Sequence, residues 1–209
     1  MKLSIKTIGA LVLGAVLITG CTEAGSGFSP SLTSYKAIKD GEYRIPAIPT
    51  RKIAKKYRRQ RVTFKTKYRP GTIVVSTKDK FLYLVEKDGK AMRYGVGVGK
   101  QGFAWSGNAK VGWKKQWPTW TPPRAMLKRR PDLRKYASGM APGLKNPLGA
   151  RALYLTKGGR DTLYRLHGTP EWWSIGTNAS SGCIRLMNHD IIDLYNRVKS
   201  GARVVVKQG

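Results

Sequence analysis

Cysteine and histidine are nearly absent from this chain of 209 residues, which holds two of each: Cys21, Cys183, His167 and His189. An all-cysteine zinc site is thereby excluded, and a mixed one would need all four residues at spacings that no zinc motif uses. The same scarcity argues against a disulfide framework. Acidic residues are few as well, 11 Asp and Glu against 40 Lys and Arg, for a net charge of +29. Partners reached by diffusion are therefore anionic: nucleic acid, acidic membrane or acidic wall polymer. The eleven-residue apolar run from Ile8 to Ile18 falls short of the roughly 20 residues that cross a bilayer. With 41% hydrophobic and 10% aromatic residues, wholesale disorder is excluded and one domain with appendages is expected.

Lys2 and Lys6 precede that apolar run, and Thr19, Gly20 and Cys21 follow it. This is the pattern of a secretory signal peptide over residues 1–20. Ile-Thr-Gly-Cys resembles the lipobox of bacterial lipoproteins, which would make Cys21 the lipidated first residue of the exported chain. Loss of the leader removes two lysines and leaves a charge of +27. Export turns the charge argument toward the cell envelope and away from nucleic acid.

Residues 21–69 are expected to form a lipid-anchored, flexible basic tether. Ser, Thr, Gly and Pro dominate its first part, and Pro46 and Pro49 stop helices. Arg51 to Arg69 then carries ten Lys or Arg and no acid, a stretch that self-repulsion extends or an anionic surface attracts. From about residue 70 the texture is that of strands. The runs GTIVVS, FLYLVE and AMRYGVGVG, separated by TKDK and KDGK, predict two adjacent hairpins. Residues 103–149 interrupt with four Trp and a Pro-Pro pair. Thr121 and Pro122 are expected to start one short helix there and Pro131 a second. ALYLT and TLYRLHG read as another hairpin. Ile191, Ile192, Leu194, Tyr195 and Val198 recur at helical spacing behind Asn188, the expected cap, and ARVVVK reads as a last strand. A mainly β, largely antiparallel domain with short helices is expected over 70–209.

The chemistry-bearing segment is Ala179-Ser-Ser-Gly-Cys183-Ile-Arg185. A thiol in such a small-residue loop faces substrate, and successive backbone N–H groups there can hold an oxyanion. His167 lies sixteen residues upstream at a strand end, and two antiparallel segments would return it to Cys183 as general base. A neighbouring imidazolium or helix start would lower the thiol pKa, and Arg185 adds positive charge. Composition alone leaves open a second role for Cys183, a buried small hydrophobe.

His167-Gly168-Thr169, Ile175-Gly176, Ser180-Ser181-Gly182-Cys183-Ile-Arg185-Leu186 and Asn188-His-Asp190 together resemble the L,D-transpeptidase family with its YkuD-type catalytic domain. The resemblance runs from about Arg69 to Gly209 and takes in the opening strands and NPLGARALYL. The family pattern has His where this chain has Ser181. The resemblance implies a β-sandwich-like L,D-transpeptidase catalytic domain that needs no cofactor or metal. It implies that Cys183 attacks a tetrapeptide stem of peptidoglycan, expels D-Ala and holds a thioester that an amine or water resolves. It further implies His167 as base with the Gly168 carbonyl orienting its other nitrogen. Gly182, Ser180, Ser181 and Arg185 would then bind the oxyanion or substrate. The acceptor would be a second stem, an outer-membrane protein or water. The site of action would be the periplasm, with the outer membrane favoured for the anchor because Thr22 follows Cys21.

Three rivals accompany this reading. A papain-like hydrolase would place the base after the nucleophile, and only His189 fits that order. A non-catalytic wall-binding lipoprotein needs only basic charge and Trp. A nucleic-acid-binding protein fits the charge alone, without any recognised module and against the export signal.

Overall fold

The computed structural model describes residues 34–99, 105–179 and 182–208. The leader, Cys21, Ser180 and Ser181 lie outside them.

The three β-branched and aromatic runs after residue 70 form β4 (Ile73–Ser76), β5 (Phe81–Val85) and β6 (Lys90–Gly95), successive antiparallel neighbours. Alternation along β5 sends Leu82 and Leu84 inward while Phe81 and Tyr83 are only half-buried. The turn into β6 bends through positive φ at Asp88 and Gly89. The remaining hairpin also forms, as β8 (Arg151–Lys157) and β9 (Arg160–His167). Joined by β3 (Gln60–Thr63), β7 (Gly107–Gln116), β10 (Ile184–Arg185) and β11 (Arg203–Lys207), these strands make one nine-stranded sheet ordered β10-β9-β8-β7-β11-β4-β5-β6-β3. Two of its pairings, β10 with β9 and β11 with β4, are parallel. Beyond β6 the chain returns to the opposite end of the order, where Gly97 exchanges both backbone hydrogen bonds with Arg185 (2.9 and 2.8 Å). The sheet thus curls upon itself around a core of Ile73, Val75, Leu82, Met92, Tyr94, Leu153, Leu155 and Leu166. The mainly β, sandwich-like expectation agrees with this architecture.

The helix α2 (Asn188–Arg197) follows β10 and buries Ile191 and Leu194 completely. Its expected cap does a different job. Met187 stands at the N-cap, and the side chain of Asn188 accepts the backbone N–H of Ala150 at 2.9 Å. The insertion also departs from expectation. It contains the ten-residue strand β7, and its short helix α1 (Arg124–Arg129) begins after Pro123 rather than at Thr121 and Pro122. Pro131 does open a second turn, a 3-10 segment over Pro131–Tyr136.

The tether expected over 21–69 is corrected for its described part. Residues 38–45 form a small hairpin, β1 (Ile38–Asp40) with β2 (Tyr43–Ile45), and β3 joins the main sheet. Tyr35, Ile48 and Ile53 are buried in a second apolar cluster with Ile175 and Met187. Arg59, in the middle of the basic run, is also buried. Its Nη1 lies 3.8 Å from Asp190 and 3.5 Å from Asp193 on α2. Apolar burial and the match between this guanidinium and the two carboxylates hold the segment against the domain, where charge repulsion alone would extend it.

Candidate active site

β9 and β10 set the site. They run parallel, not antiparallel as expected, with Ile184 opposite Leu166 and Arg185 opposite His167. Ile184 and Leu166 point into the core, so alternation puts Arg185 and His167 on the other face. Cys183, one residue before Ile184, shares that face. Its side chain is half-buried, with Sγ 4.0 Å from the Leu163 carbonyl and the backbone N–H of Arg165 directed at the sulfur.

His167 Nδ1 lies 2.6 Å from the carbonyl oxygen of Gly168. A carbonyl only accepts, so that contact fixes the proton on Nδ1 and leaves Nε2 with its lone pair. Burial is the main reason that the imidazole is pushed down to about 4; the charges of Arg185 and Arg165 act in the same sense, and the carbonyls of Gly168 and Pro147 oppose them. Burial likewise raises the Cys183 thiol, against the Arg165 N–H and the Arg165 and Arg185 charges, which lower it. The expected lowered thiol is therefore corrected. At neutral pH the two groups rest as thiol and neutral imidazole, because the pocket disfavours charge on either. His189 is engaged elsewhere: its Nε2 lies 2.7 Å from the Lys36 carbonyl and its ring meets Tyr35 edge-on.

Arg185 is not open for an incoming carboxylate, since Nη1 pairs with Glu171 at 2.8 Å. That pair ties β10 to the segment bearing Trp172 and Trp173. Gly182 lies beside the thiol in a conformation (φ 126°) that a side chain rarely adopts.

Asn146, Gly149 and Arg151 shape the site and gave no chemical signal in the sequence. Gly168 donates its N–H to the Arg151 carbonyl at 3.0 Å. A Cβ at Gly149 or Gly168 would strike Asn188 Oδ1, so these glycines and Asn188 form one close junction behind His167. Asn146 is fully buried. Its amide donates to the carbonyls of Pro118, Met140 and Ala141 at 3.0 to 3.2 Å, and its oxygen accepts the Leu148 N–H. The Trp-bearing insertion is gathered around that one side chain, next to Pro147. Local Asn-Pro spacing marks a turn at this point, but not the contacts that Asn146 makes with Pro118, Met140 and Ala141.

A sequence model of the YkuD L,D-transpeptidase catalytic domain matches residues 70–206. The chain belongs to the L,D-transpeptidase catalytic-domain family. Among relatives, the probable L,D-transpeptidase ErfK/SrfK of Escherichia coli K12 is 36% identical over 141 residues, 64% of this chain and 43% of that protein. The probable L,D-transpeptidase YbiS of the same strain is 32% identical over 139 residues with the same coverage. The chain thus spans less than half the length of these relatives. A solved structure from Brucella melitensis, named a probable carnitine operon oxidoreductase, is 49% identical and covers 74% of this chain and 96% of its own, with a TM-score of 0.52. An L,D-transpeptidase from Mycobacterium smegmatis shares the fold at a TM-score of 0.50 and 20% identity, covering 65% of this chain and 58% of its own. For the L,D-transpeptidase domain described above, the matched span begins at β4. The hairpin β1–β2 and Arg59 lie before it.

Proposed function

We propose that the protein is a cysteine-dependent peptidoglycan L,D-transpeptidase acting in the periplasm from a lipid anchor at Cys21. The observation that carries the reading is the pairing of a neutral His167, fixed through Nδ1 on the Gly168 carbonyl, with a thiol on the same face of the β9–β10 ladder. His167 Nε2 takes the Cys183 proton as sulfur attacks the acyl carbon of a tetrapeptide stem. The backbone N–H groups of Gly182 and Cys183 receive the oxyanion. Collapse breaks the bond to the terminal D-Ala, whose nitrogen receives the proton from His167, and a thioester remains. An amine then attacks, gives its proton to His167 and frees the sulfur. Gly168 acts as the third member of a triad, a backbone dipole in place of a carboxylate. Ser180 and Ser181 complete the substrate loop, and Arg185, through Glu171, holds it in place. The acyl acceptor is a second stem, an outer-membrane protein or water.

Incubation of purified wall with the protein, digestion and mass analysis separate these products, because cross-linked, trimmed and protein-bearing stems differ in mass. Cys183→Ala should abolish all of them and preserve the fold. Full turnover by that variant would sink the cysteine mechanism, and the absence of every product with the wild type would leave a wall-binding lipoprotein.

A further inference from the structure

β9 carries a bulge directly beside the thiol. Tyr154 pairs with Arg165 and Thr156 with Asp161, so β9 spends four residues where β8 spends two. Inside the bulge Leu163 takes φ 63°, a left-handed conformation costly for a side chain of its size, and is 72% exposed. Asp161 closes the loop. Its Oδ1 accepts the Leu163 N–H at 2.9 Å, and its carboxylate takes both terminal nitrogens of Arg165 at 2.7 and 2.8 Å. The guanidinium also lies 4.4 Å from the centre of the Tyr154 ring, which stacks on Trp113 at 4.7 Å and 15°.

These contacts run in one line across the sheet. Trp113 pairs with Tyr154 and Tyr154 with Arg165. The next position beyond Arg165 is Cys183, because Ile184 pairs with Leu166. A row of two rings and a doubly held guanidinium therefore ends at the sulfur. The same bulge aims the Arg165 N–H at that sulfur.

We propose that Arg165 is a positioning residue for the nucleophile. Held by Asp161 and Tyr154, it presents a fixed positive charge and a backbone donor that favour the thiolate of Cys183 over the thiol. The charged and titratable groups around the sulfur are Arg165, Asp161 and His167 from β9 and Arg185 from β10. Arg165 acts for the thiolate and Asp161 against it. Arg185 is paired with Glu171 and Arg165 with Asp161; of the two, Arg165 is the one that stands opposite Cys183 in register and also supplies a backbone donor to the sulfur.

The inference rests on Cys183 being the nucleophile, yet its test reads the thiol itself and needs no wall substrate. The full chain is alkylated with iodoacetamide across a pH series, and the midpoint of the rate is taken as the thiol pKa. Arg165→Gln should raise that midpoint by about one unit, so alkylation at a pH below it slows roughly tenfold. Arg165→Lys should restore most of the rate, since charge and not fork geometry is what the sulfur feels. Asp161→Asn, which keeps an acceptor for the Leu163 N–H, should move the midpoint down. If Arg165→Gln does not fold, Arg165→Met, which keeps an apolar stem over the Tyr154 ring, takes its place with the same expected rise. An unmoved midpoint in the folded variants, or Arg165→Lys as displaced as Arg165→Gln, overturns the proposal. Normal midpoint shifts in a protein that leaves wall stems untouched would instead overturn the transpeptidase reading and keep this one.

Discussion

Arg151 meets Asp40 across 111 residues of chain, its two terminal nitrogens 2.6 and 2.7 Å from the two carboxylate oxygens. The same carboxylate accepts Trp117 Nε1–H at 2.8 Å, and Tyr43 packs on the Trp117 ring at 4.1 Å. The hairpin before the family domain is therefore bolted to the insertion and to the residue whose carbonyl holds Gly168.

Asp40→Ala should destabilise the protein by about 3 kcal/mol, since it leaves a buried guanidinium unpaired. Calorimetry reads the loss. Turnover should fall as well, because Arg151 supports the backbone next to His167; an unchanged melting temperature would show that the pair contributes nothing.

His167→Gln should slow thioester formation by a factor on the order of 10² to 10⁴, whereas His189→Gln should change it little. Covalent capture of a carbapenem at Cys183, followed by intact-protein mass spectrometry, measures both. A crippled His189→Gln with normal folding would restore the papain-like order of residues.

The pH profile follows from the buried imidazole. His167 must be neutral to take a proton, and burial pushes it down to about 4, so acylation should persist through pH 6 and fail only as pH drops through about 4. Stability has the same sign. Between pH 6.5 and 4 an unfolded chain binds a proton at His167 that the folded one refuses, so up to about 3 kcal/mol is lost as pH falls across that window. Buried Asp190, pushed up to about 7, acts in the opposite sense over the same window, so His167 is read from the difference: denaturant titrations should show wild type losing more stability than His167→Gln as pH falls from 6.5 to 4.

Arg59→Met should cost about 3 kcal/mol, because buried Asp190 loses the cation beside it, while Asp193 keeps Arg197 at 2.9 Å. Tyr35 already donates to Asp190 at 3.2 Å and Tyr94 to Asp193 at 2.7 Å, and neither supplies charge. The double variant Arg59→Met with Asp190→Asn should recover part of the loss in urea melts.

The exposed lysines of the same segment have a separable role. Changing Lys52, Lys55, Lys65 and Lys67, all exposed, to Gln should weaken salt-sensitive binding to intact sacculi and leave the acylation rate by a small neutral donor unchanged. Co-sedimentation at two salt concentrations checks the first part and stopped-time acylation the second. Deleting the whole stretch is no substitute, because Ile53, Arg59 and β3 are structural.

The hairpins and α2 were legible in the sequence because each repeats its apolar residues at a local period that its own element buries. Cys183, His167 and the Gly168 carbonyl stood out through residue type and motif. What stayed hidden is non-local. Tyr35, Ile48 and Ile53 follow no period and are interleaved with cations, since each fills a separate gap on a surface contributed by residues more than a hundred positions away. Asn188 carries a cap signal and spends its side chain on Ala150. The strand β7 alternates Ala109 and Val111 with polar residues, a pattern drowned by its aromatic and proline-rich neighbourhood. The thiol's raised pKa depends on burial, which no loop motif reports.

The pairing of Gly97 with Arg185 bears on how an acyl donor can be recognised. With β9 on one side and Gly97 on the other, the short strand that follows Cys183 has no open edge. An extended peptide cannot lie down there as one more strand, the mode by which many peptide-binding domains gain affinity without reading side chains. A donor approaching Cys183 must be gripped by side chains and loop backbone, so selectivity should track the chemistry of its branches and not its capacity to extend.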